Sequence, residues 1–380
     1  MQSVTSEAVK IRRRKIVKLK ENIVKVTLVV FAGISVLTTI AIISSLFIEA
    51  MPFFEKISRV SQLFQYGTVW DPRSESYHIL PILVGTLMIV LFSCLFAIPL
   101  GLGSAIYLSE YAKPKVRNTL KPILEILAGI PSVVYGFFAL LYITPFLKMN
   151  ISWLAKLFLF VILGMSIFIA VKSVGKFLET PKLKMKIIYS SLFLSFGSIA
   201  FYLCINFIKF FNATSQLRVE TFNVLSASFA VGIMITPLVA SISEDALKAV
   251  PNNLREASLG LGATKFETVW SVTVPAAISG IVSSFILAIS RAIGETMIVS
   301  MAAGAKPVLN FNPLGQIQTM TGYMMSKSFG EVVVGSIEYQ TVFVVGLILF
   351  FITLFLNIGA KKIVDIFQKY LLFYCFLSVS

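Results

Sequence analysis

Long apolar runs separated by short charged segments are the main pattern along the chain. Most of these runs are at least as long as the roughly 20 residues that a helix needs to cross a bilayer. They lack the strict alternation of a half-buried strand, so the pattern favours helices. We therefore predict an all-α, polytopic transmembrane helical bundle with about eight spans, at residues 26–48, 79–108, 122–147, 153–171, 187–208, 223–243, 276–302 and 339–360.

The composition also indicates a membrane protein. Mean hydropathy is +0.88 and charged residues make up only 13% of the chain, whereas soluble domains carry roughly 25%. The three cysteines, Cys94, Cys204 and Cys375, lie far apart, and His78 is the only histidine. This spacing predicts neither a disulfide framework nor a metal site.

The positions of the basic residues predict the orientation. Cytoplasmic loops of membrane proteins carry an excess of lysine and arginine. If the N-terminus is placed inside, 23 of the 33 basic residues fall on the inner side. Both termini are then expected to be cytoplasmic. The net charge of +15 follows from this topology, so no nucleic-acid partner is expected.

The predicted spans divide the chain into parts. Residues 1–25 form a basic cytoplasmic N-terminus, and residues 26–48 form an uncleaved first helix, because this run exceeds a signal-peptide core. Residues 79–360 form the main membrane domain, and residues 361–380 form a C-terminal tail whose apolar end is too short to span. Two long loops are expected outside the membrane, at 49–78 and 303–338.

Two charged residues, Arg291 and Glu295, interrupt the apolar run at 276–302. A charge at the centre of a spanning helix costs about 2.5–3.5 kcal/mol on insertion scales, and such residues usually face a bundle interior or a water-filled path. Their i,i+4 spacing predicts one shared helix face. The planar guanidinium of Arg291 suits a tetrahedral oxyanion. Glu295 is expected to be a counter-charge that pairs with Arg291, or with another helix, in one state. The alternative is an ion pair that only fixes helix packing.

Three hydroxyl side chains are further candidates for a substrate pathway. Ser132 and Tyr135 lie in the stretch GIPSVVYGFF, where Pro131 is expected to bend the helix. Both can donate hydrogen bonds to an oxyanion, as can Thr296 beside Glu295. Helix packing is the alternative role for these side chains.

The predicted inner loop at 244–275 is long and amphipathic. Ser243 with the two acidic residues that follow it favours a helix start. Pro251 predicts a break, and Asn252 or Asn253 is expected to cap a second short helix. Gly260 and Gly262 then permit a sharp turn, so a short helix lying across the cytoplasmic face is expected.

The spacing within this loop resembles the EAA loop of bacterial ABC importer permeases. Glu256-Ala257-Ser258 is followed by three residues, Gly262, nine residues and Val272-Thr273-Val274-Pro275. In that family the loop docks in a cleft of the ATPase subunit. The resemblance therefore implies ATPase-coupling roles for Glu256, Ala257, Ser258, Gly262 and Pro275.

Longer stretches resemble the C-type permease subunit of phosphate ABC importers. They are RAIGETM at 291–297, LSEYAKPKVRNTLKPILEILAGIPSVVYGFF at 108–138, SEDALKAVPNNLREASLGLGATKFETVW at 243–270 and SIEYQTVFVVGLILFFITLFLN at 336–357. The resemblance implies a six-helix core in a bacterial inner membrane, here with an inserted two-helix segment at 148–212. It also implies two copies of an ATPase, an A-type permease and a periplasmic phosphate-binding protein as partners.

The chain lacks the loop G-x-x-x-x-G-K-[ST], which binds nucleotide phosphates. ATP with Mg is therefore expected on a partner subunit, no cofactor is expected on this chain, and the chain is expected to be a transport subunit and not an enzyme.

Phosphate, moved by alternating access, is the expected substrate, but other readings stay open. Molybdate and sulfate permeases also show R-x-[IL]-G-E, usually with an aromatic residue where Thr296 stands here. A non-transporting scaffold would have no ATPase partner. A secondary transporter should show an inverted repeat, and no convincing repeat is present.

Overall fold

The computed structural model describes residues 2–179, 191, 195, 198, 217–330 and 332–377, and they are almost entirely helical. The predicted all-α membrane bundle is confirmed. Within these ranges five helices are long and apolar enough to span a membrane: Lys20–Phe54, Leu80–Tyr111, Ser132–Leu157, Val224–Lys248 and Ile337–Asp365. A sixth span results if the pair Lys265–Ala276 and Ile278–Ile293, bent by 70°, counts as one.

The helices are numbered in chain order. They are α1 (Gln2–Phe54), α2 (Ile57–Leu63), α3 (Leu80–Ile106), α4 (Pro114–Ala128), α5 (Ser132–Phe138), α6 (Thr144–Glu179), α7 (Val224–Lys248), α8 (Asn252–Gly260), α9 (Lys265–Thr268), α10 (Val274–Ala276), α11 (Ile278–Ile293), α12 (Met297–Ala302), α13 (Met320–Ser328) and α14 (Ile337–Leu377). Single π-helical turns follow α3, α5 and α9, at Tyr107–Tyr111, Ala139–Ile143 and Val269–Thr273. The apolar end of the predicted tail, as far as Leu377, continues α14.

Helices α3 and α7 form the centre of the bundle. Small residues line their contact, including the fully buried Ala97, Ala227 and Ala230. A Cβ built on Gly101 of α3 would lie 2.7 Å from the Cβ of Val239 on α7. Since lipid tails supply no hydrophobic drive between helices, close backbone approach through small residues is how membrane helices gain packing energy.

The structure corrects the predicted spans at 122–147 and 153–171. The first is interrupted: α4 ends at Ala128, and α5 begins at Ser132 after Pro131, so the bend predicted at that proline is a full break. The second is not separate, because α6 runs without a turn through 148–152. Those residues contain no glycine or proline, and the side-chain Nδ2 of Asn150 donates to the carbonyl of Phe146, one turn earlier, at 2.9 Å. The predicted span at 187–208 lies outside the described residues, apart from single positions.

The predicted helix start at Ser243 is also wrong. Helix α7 continues through this position to Lys248, with Ser243 and Glu244 buried. The hydroxyl of Ser243 lies 2.7 Å from that of Ser284 on α11, so it joins two helices instead of capping one. Pro251 does break the helix as predicted, and α8 starts at Asn252 with Pro251, and not an asparagine, in the capping position.

A buried carboxylate joins α4 to the C-terminal end of α7. Glu244 is 1% exposed and is contacted by Arg117 at 3.1 Å, by Lys121 at 3.2 Å and by Lys248. The hydrogen bond from Lys121 to Asp245, at 2.9 Å, raises the pKa of that lysine. Three cations therefore surround Glu244, which offsets the desolvation cost of burying it.

The loop between α12 and α13, at residues 303–319, packs onto the bundle. Strands β1 (Trp70–Asp71) and β2 (Ser76–Tyr77) form a small antiparallel hairpin. The loop residue Leu309 donates its amide to the carbonyl of Thr68 at 2.7 Å. Further along, the amide of Met320 donates to the hydroxyl of Thr86 on α3 at 3.0 Å. The segment before α13 thus runs directly against the backbone of α3.

Gly85 on α3 allows this close approach, and Gly85→Ala is expected to destabilise the protein. A Cβ at Gly85 would lie 2.4 Å from the carbonyl oxygen of Gln318, so the backbone must shift. Overpacking of this kind costs about 1–3 kcal/mol. Gly103→Ala, on the same helix but with nothing within 4 Å of its Cβ, is the matched control and is expected to be neutral or stabilising. Thermal unfolding in detergent measures both, and equal midpoints would contradict the close approach.

Candidate functional site

The stretch RAIGETM forms a break between two helices. Helix α11 ends at Ile293, with Gly294 as its C-cap, and α12 begins at Met297. The carboxylate of Glu295 accepts the amide of Ile298 at 3.4 Å, at the start of α12. Glycine is a poor helix former, and a carboxylate that binds a free amide favours a new helix start. The predicted continuous span at 276–302 is therefore wrong.

This break separates Arg291 from Glu295. Arg291 lies in the last turn of α11 with its side chain exposed. Glu295 lies beyond the end of that helix and is only 6% exposed. Within the described residues the two side chains form no ion pair. The prediction that they share one helix face is wrong, because Glu295 is not part of α11. Among the described residues the guanidinium of Arg291 has no hydrogen-bond partner either.

A buried polar segment lies against Glu295. Residues Gln318, Thr319 and Thr321 are each at most 6% exposed, and they precede or begin α13. The hydroxyl of Thr321 donates to the carbonyl of Glu295 at 2.7 Å, and the hydroxyl of Thr319 accepts the amide of Gly322 at 3.0 Å. These residues were missed from the sequence; the run QIQTMT at 316–321, which overlaps the start of α13, was the signal available.

The predicted hydroxyl candidates take different positions. Thr296 is half-buried, and its hydroxyl donates to the carbonyl of Gly294 at 3.3 Å, a hydrogen bond within the link between α11 and α12. Tyr135 is buried and its hydroxyl donates to the carbonyl of Leu127 at 2.8 Å, so it ties α5 to α4. Ser132 is half-buried in the first turn of α5. Among these, only Ser132 has no protein partner for its hydroxyl in the described part of the chain.

Helix α5 lies directly against α12. A Cβ on Gly136 would come within 2.9 Å of the sulfur of Met301 and 3.4 Å of the Cα of Ile298. The fold therefore brings GIPSVVYGFF next to the helix that follows the RAIGETM break. Two segments that are some 150 positions apart in the sequence share one packed contact.

The EAA-like loop folds as a short helix with a glycine stop. In α8, Glu256 and Ala257 are exposed, and the hydroxyl of Ser258 lies 3.0 Å from that of Thr268. At its end the amide of Ala263 bonds the carbonyl of Ser258 at 3.2 Å, and the amide of Gly262 bonds that of Leu259 at 3.0 Å. This pair of bonds is a Schellman motif.

Gly262 carries the left-handed conformation that the motif needs, with φ of +88°. A capping box then starts α9: Glu267 accepts the amide and hydroxyl of Thr264, both at 2.8 Å. These bonds lower the pKa of Glu267. The predicted sharp turn at Gly262 is confirmed. Pro275 is exposed in α10, immediately before the 70° bend into α11.

The loop presents apolar side chains to solvent. Leu261 is 90% exposed at the turn, and Phe266 is 64% exposed in α9. Leu254 and Leu259 of α8 are also exposed. Large apolar residues clustered on one exposed surface indicate a site for a protein partner.

The described residues form a multi-helix membrane bundle. One of its helices is interrupted and bears an arginine without an ion pair among these residues, and a helical loop exposes large apolar side chains. These are features of a membrane transport permease. Comparison with known proteins agrees. The family described as "Binding-protein-dependent transport system inner membrane component" matches residues 182–371, which is half of the chain. The chain belongs to this family.

Two curated relatives extend the similarity over more of the chain. The "Phosphate transport system permease protein PstC" of Haemophilus influenzae is 28% identical over 349 residues, 92% of this chain and 94% of that protein. The "Probable ABC transporter permease protein YqgH" of Bacillus subtilis is 28% identical over 282 residues, 74% of this chain and 70% of that protein. A solved structure of the MetNI methionine ABC transporter, in inward-facing conformations, matches with a TM-score of 0.44 at 17% identity and covers 75% of this chain and 93% of that chain.

The chain is therefore a permease subunit of an ABC importer and a multi-pass inner membrane protein. It is a transport subunit, not an enzyme, and ATP is hydrolysed by a separate ATPase. An importer of this family also works with a binding protein.

Proposed function

We propose that this permease imports inorganic phosphate, with Arg291 as the residue that contacts the anion. The observation that carries the proposal is the placement of Arg291: it is exposed at a helix break and has no ion-pair partner within the described residues. A guanidinium offers a planar set of donors that matches a tetrahedral oxyanion. Leaving it unpaired inside a membrane protein is costly, which favours a functional role.

The relatives support phosphate among the oxyanions. Several are phosphate permeases by name, and one of them aligns over nearly the whole chain. By this similarity the chain is the C-type subunit, which pairs with an A-type permease, two ATPase copies and a periplasmic phosphate-binding protein. Transport then proceeds by alternating access, and both termini lie in the cytoplasm.

The remaining pathway residues have supporting roles in this proposal. Ser132 has a free hydroxyl and lies in the helix that packs on α12, so it is a candidate second donor. The hydroxyl of Thr296 stabilises the link between α11 and α12 through its bond to Gly294, and the carboxylate of Glu295 caps α12. Tyr135 positions α5 through its bond to Leu127.

The EAA-like loop is the proposed ATPase contact. Its exposed apolar residues, with Leu261 at the tip, suit insertion into a cleft. Glu256, Ala257 and Ser258 belong to the docking helix, Gly262 shapes the turn, and Pro275 lies where the loop meets α11. In this proposal the loop lies on the cytoplasmic side, and the distribution of basic residues supports that side.

Competition in an uptake assay tests the substrate. Vesicles that contain the complete importer are expected to accumulate radiolabelled phosphate when ATP and the binding protein are present. Unlabelled phosphate should reduce the signal, whereas equal molybdate or sulfate should leave it nearly unchanged. If molybdate or sulfate competes better than phosphate, the substrate is a different oxyanion.

A further inference from the structure

The side chain of Arg255 connects the short coupling helix α8 to the rest of the bundle. Its Nη1 donates to the carbonyl of Val250 at 2.7 Å and to the side chain of Asn252 at 3.0 Å. Its Nη2 donates to the carbonyl of Leu247 at 2.7 Å and to the carboxylate of Glu110 at 3.0 Å. One guanidinium therefore bonds four groups, and it lies between three helices.

Two of these acceptors lie at the C-terminal end of α7: Leu247 is in its last turn, and Val250 follows the C-cap Ala249. The last carbonyls of a helix have no partner within it, and the negative end of the helix dipole favours a cation there. Arg255 supplies both the donors and the charge to Leu247 and Val250. The C-terminal end of α7 is thus capped by a residue that belongs to α8.

The third connection reaches α3. Glu110 lies in the π-helical turn that follows α3, and its side chain is 9% exposed, against 17% for that of Arg255. A nearly buried ion pair with multiple hydrogen bonds holds a fixed geometry better than a surface pair does. Since α3 and α7 pack closely at Gly101, the two helices and α8 form one unit at this point.

Helix α8 is otherwise weakly attached. None of its nine residues is buried, and only Arg255 and Ser258 are half-buried. A helix that moves with an ATPase must transmit the displacement through its few firm contacts. Arg255 makes the strongest of these in the described part of the chain.

We propose that Arg255 is a positioning residue that transmits displacement of the coupling helix to α3 and α7. This inference rests on the proposed docking of α8 on the ATPase. Without Arg255, α8 still docks, but its movement is absorbed by its loose attachment to the bundle. ATP is then hydrolysed with little transport.

The test compares transport per ATP in reconstituted complexes. Arg255→Gln is expected to keep the wild-type amount of co-purified ATPase and to lower phosphate transported per ATP by about tenfold. Arg255→Lys should show an intermediate loss, because an ammonium cannot reach all four acceptors. Asp245→Asn, which removes a surface ion pair with Lys121 and does not touch α8, is the matched control and should behave as wild type.

A charge exchange separates this role from a simple ion pair. The double variant with Glu110→Arg and Arg255→Glu restores a pair of opposite charges. The glutamate on α8 has no N–H group to donate to the carbonyls of Leu247 and Val250, so transport per ATP should stay low. Full rescue by the exchange, or unchanged coupling in assembled Arg255→Gln, would overturn the inference. If Arg255→Gln only lowers the yield of complex while coupling is normal, the role is structural and the inference is also wrong. Failure of the ATPase to co-purify with the wild-type permease would instead contradict the docking itself.

Discussion

Arg291→Ala is expected to abolish phosphate uptake while the permease stays folded and assembled with its partners. The Arg291 side chain is exposed and has no ion pair within the described residues, so its removal breaks no ion pair there. A hydrogen bond to a charged group contributes about 1.5–3 kcal/mol. The loss of a two-pronged contact with the anion therefore predicts a fall in uptake of about a hundredfold or more.

Two further variants make this result specific. Arg291→Lys keeps the charge but loses the planar fork, so uptake should fall to an intermediate level. Arg218→Ala removes another exposed arginine, outside the proposed pathway, and should leave uptake unchanged. Radiolabelled phosphate uptake in vesicles, normalised to assembled complex, measures all three. Wild-type uptake by the Arg291→Ala complex would rule out the pathway role.

The geometry also limits what Glu295 can do. The hypothesis that it is a counter-charge for Arg291 requires the two side chains to meet in some state. In this structure the helix break lies between them, and Glu295 binds the first turn of α12. Pairing therefore needs a rearrangement of the link at Gly294, where an added Cβ would meet only the carbonyl oxygens of Ser290 and Arg291 within 4 Å.

The parts of the site set by local sequence were predictable. The EAA-like spacing and Gly262 identify the coupling loop, because a glycine at a helix end has a local conformational cause. Pro131 likewise marked the break before α5. The apolar runs identified most spans, since burial in lipid acts on composition alone.

The parts set by distant contacts were not predictable. The break at Gly294 lies inside a run whose only charged residues are Arg291 and Glu295. It is supported by Thr321, which approaches Glu295 only in the folded chain. From the sequence the hydroxyl of Tyr135 was a candidate donor to an oxyanion, but in the folded chain α4 places the carbonyl of Leu127 beside it as an acceptor. Ser243 and its acidic neighbours resemble a helix start, but contacts with α11 and α4 extend α7 through them.

Gly262→Val is expected to uncouple ATP hydrolysis from transport. With φ at +88°, this position lies in a region where a residue with a Cβ costs roughly 1–2 kcal/mol, and a β-branched residue fits worst. No atom of the described residues lies within 4 Å of a Cβ at Gly262, so an internal clash is not the cause. The strain is relieved by opening the Schellman turn, which displaces Leu261 from the tip of the loop.

Two variants isolate this backbone effect. Gly260→Val changes a glycine two positions away that also has open space around its Cβ but lies within α8, so it should retain coupling. Gly262→Asn should restore much of the lost transport, because asparagine tolerates the left-handed conformation. We expect uptake per ATP to fall about tenfold in Gly262→Val, with ATPase co-purification reduced in parallel as the docking surface changes shape. Equal losses in Gly260→Val and Gly262→Val would mean that the added side chains disturb the ATPase contact directly, and that the turn conformation is not what the coupling depends on.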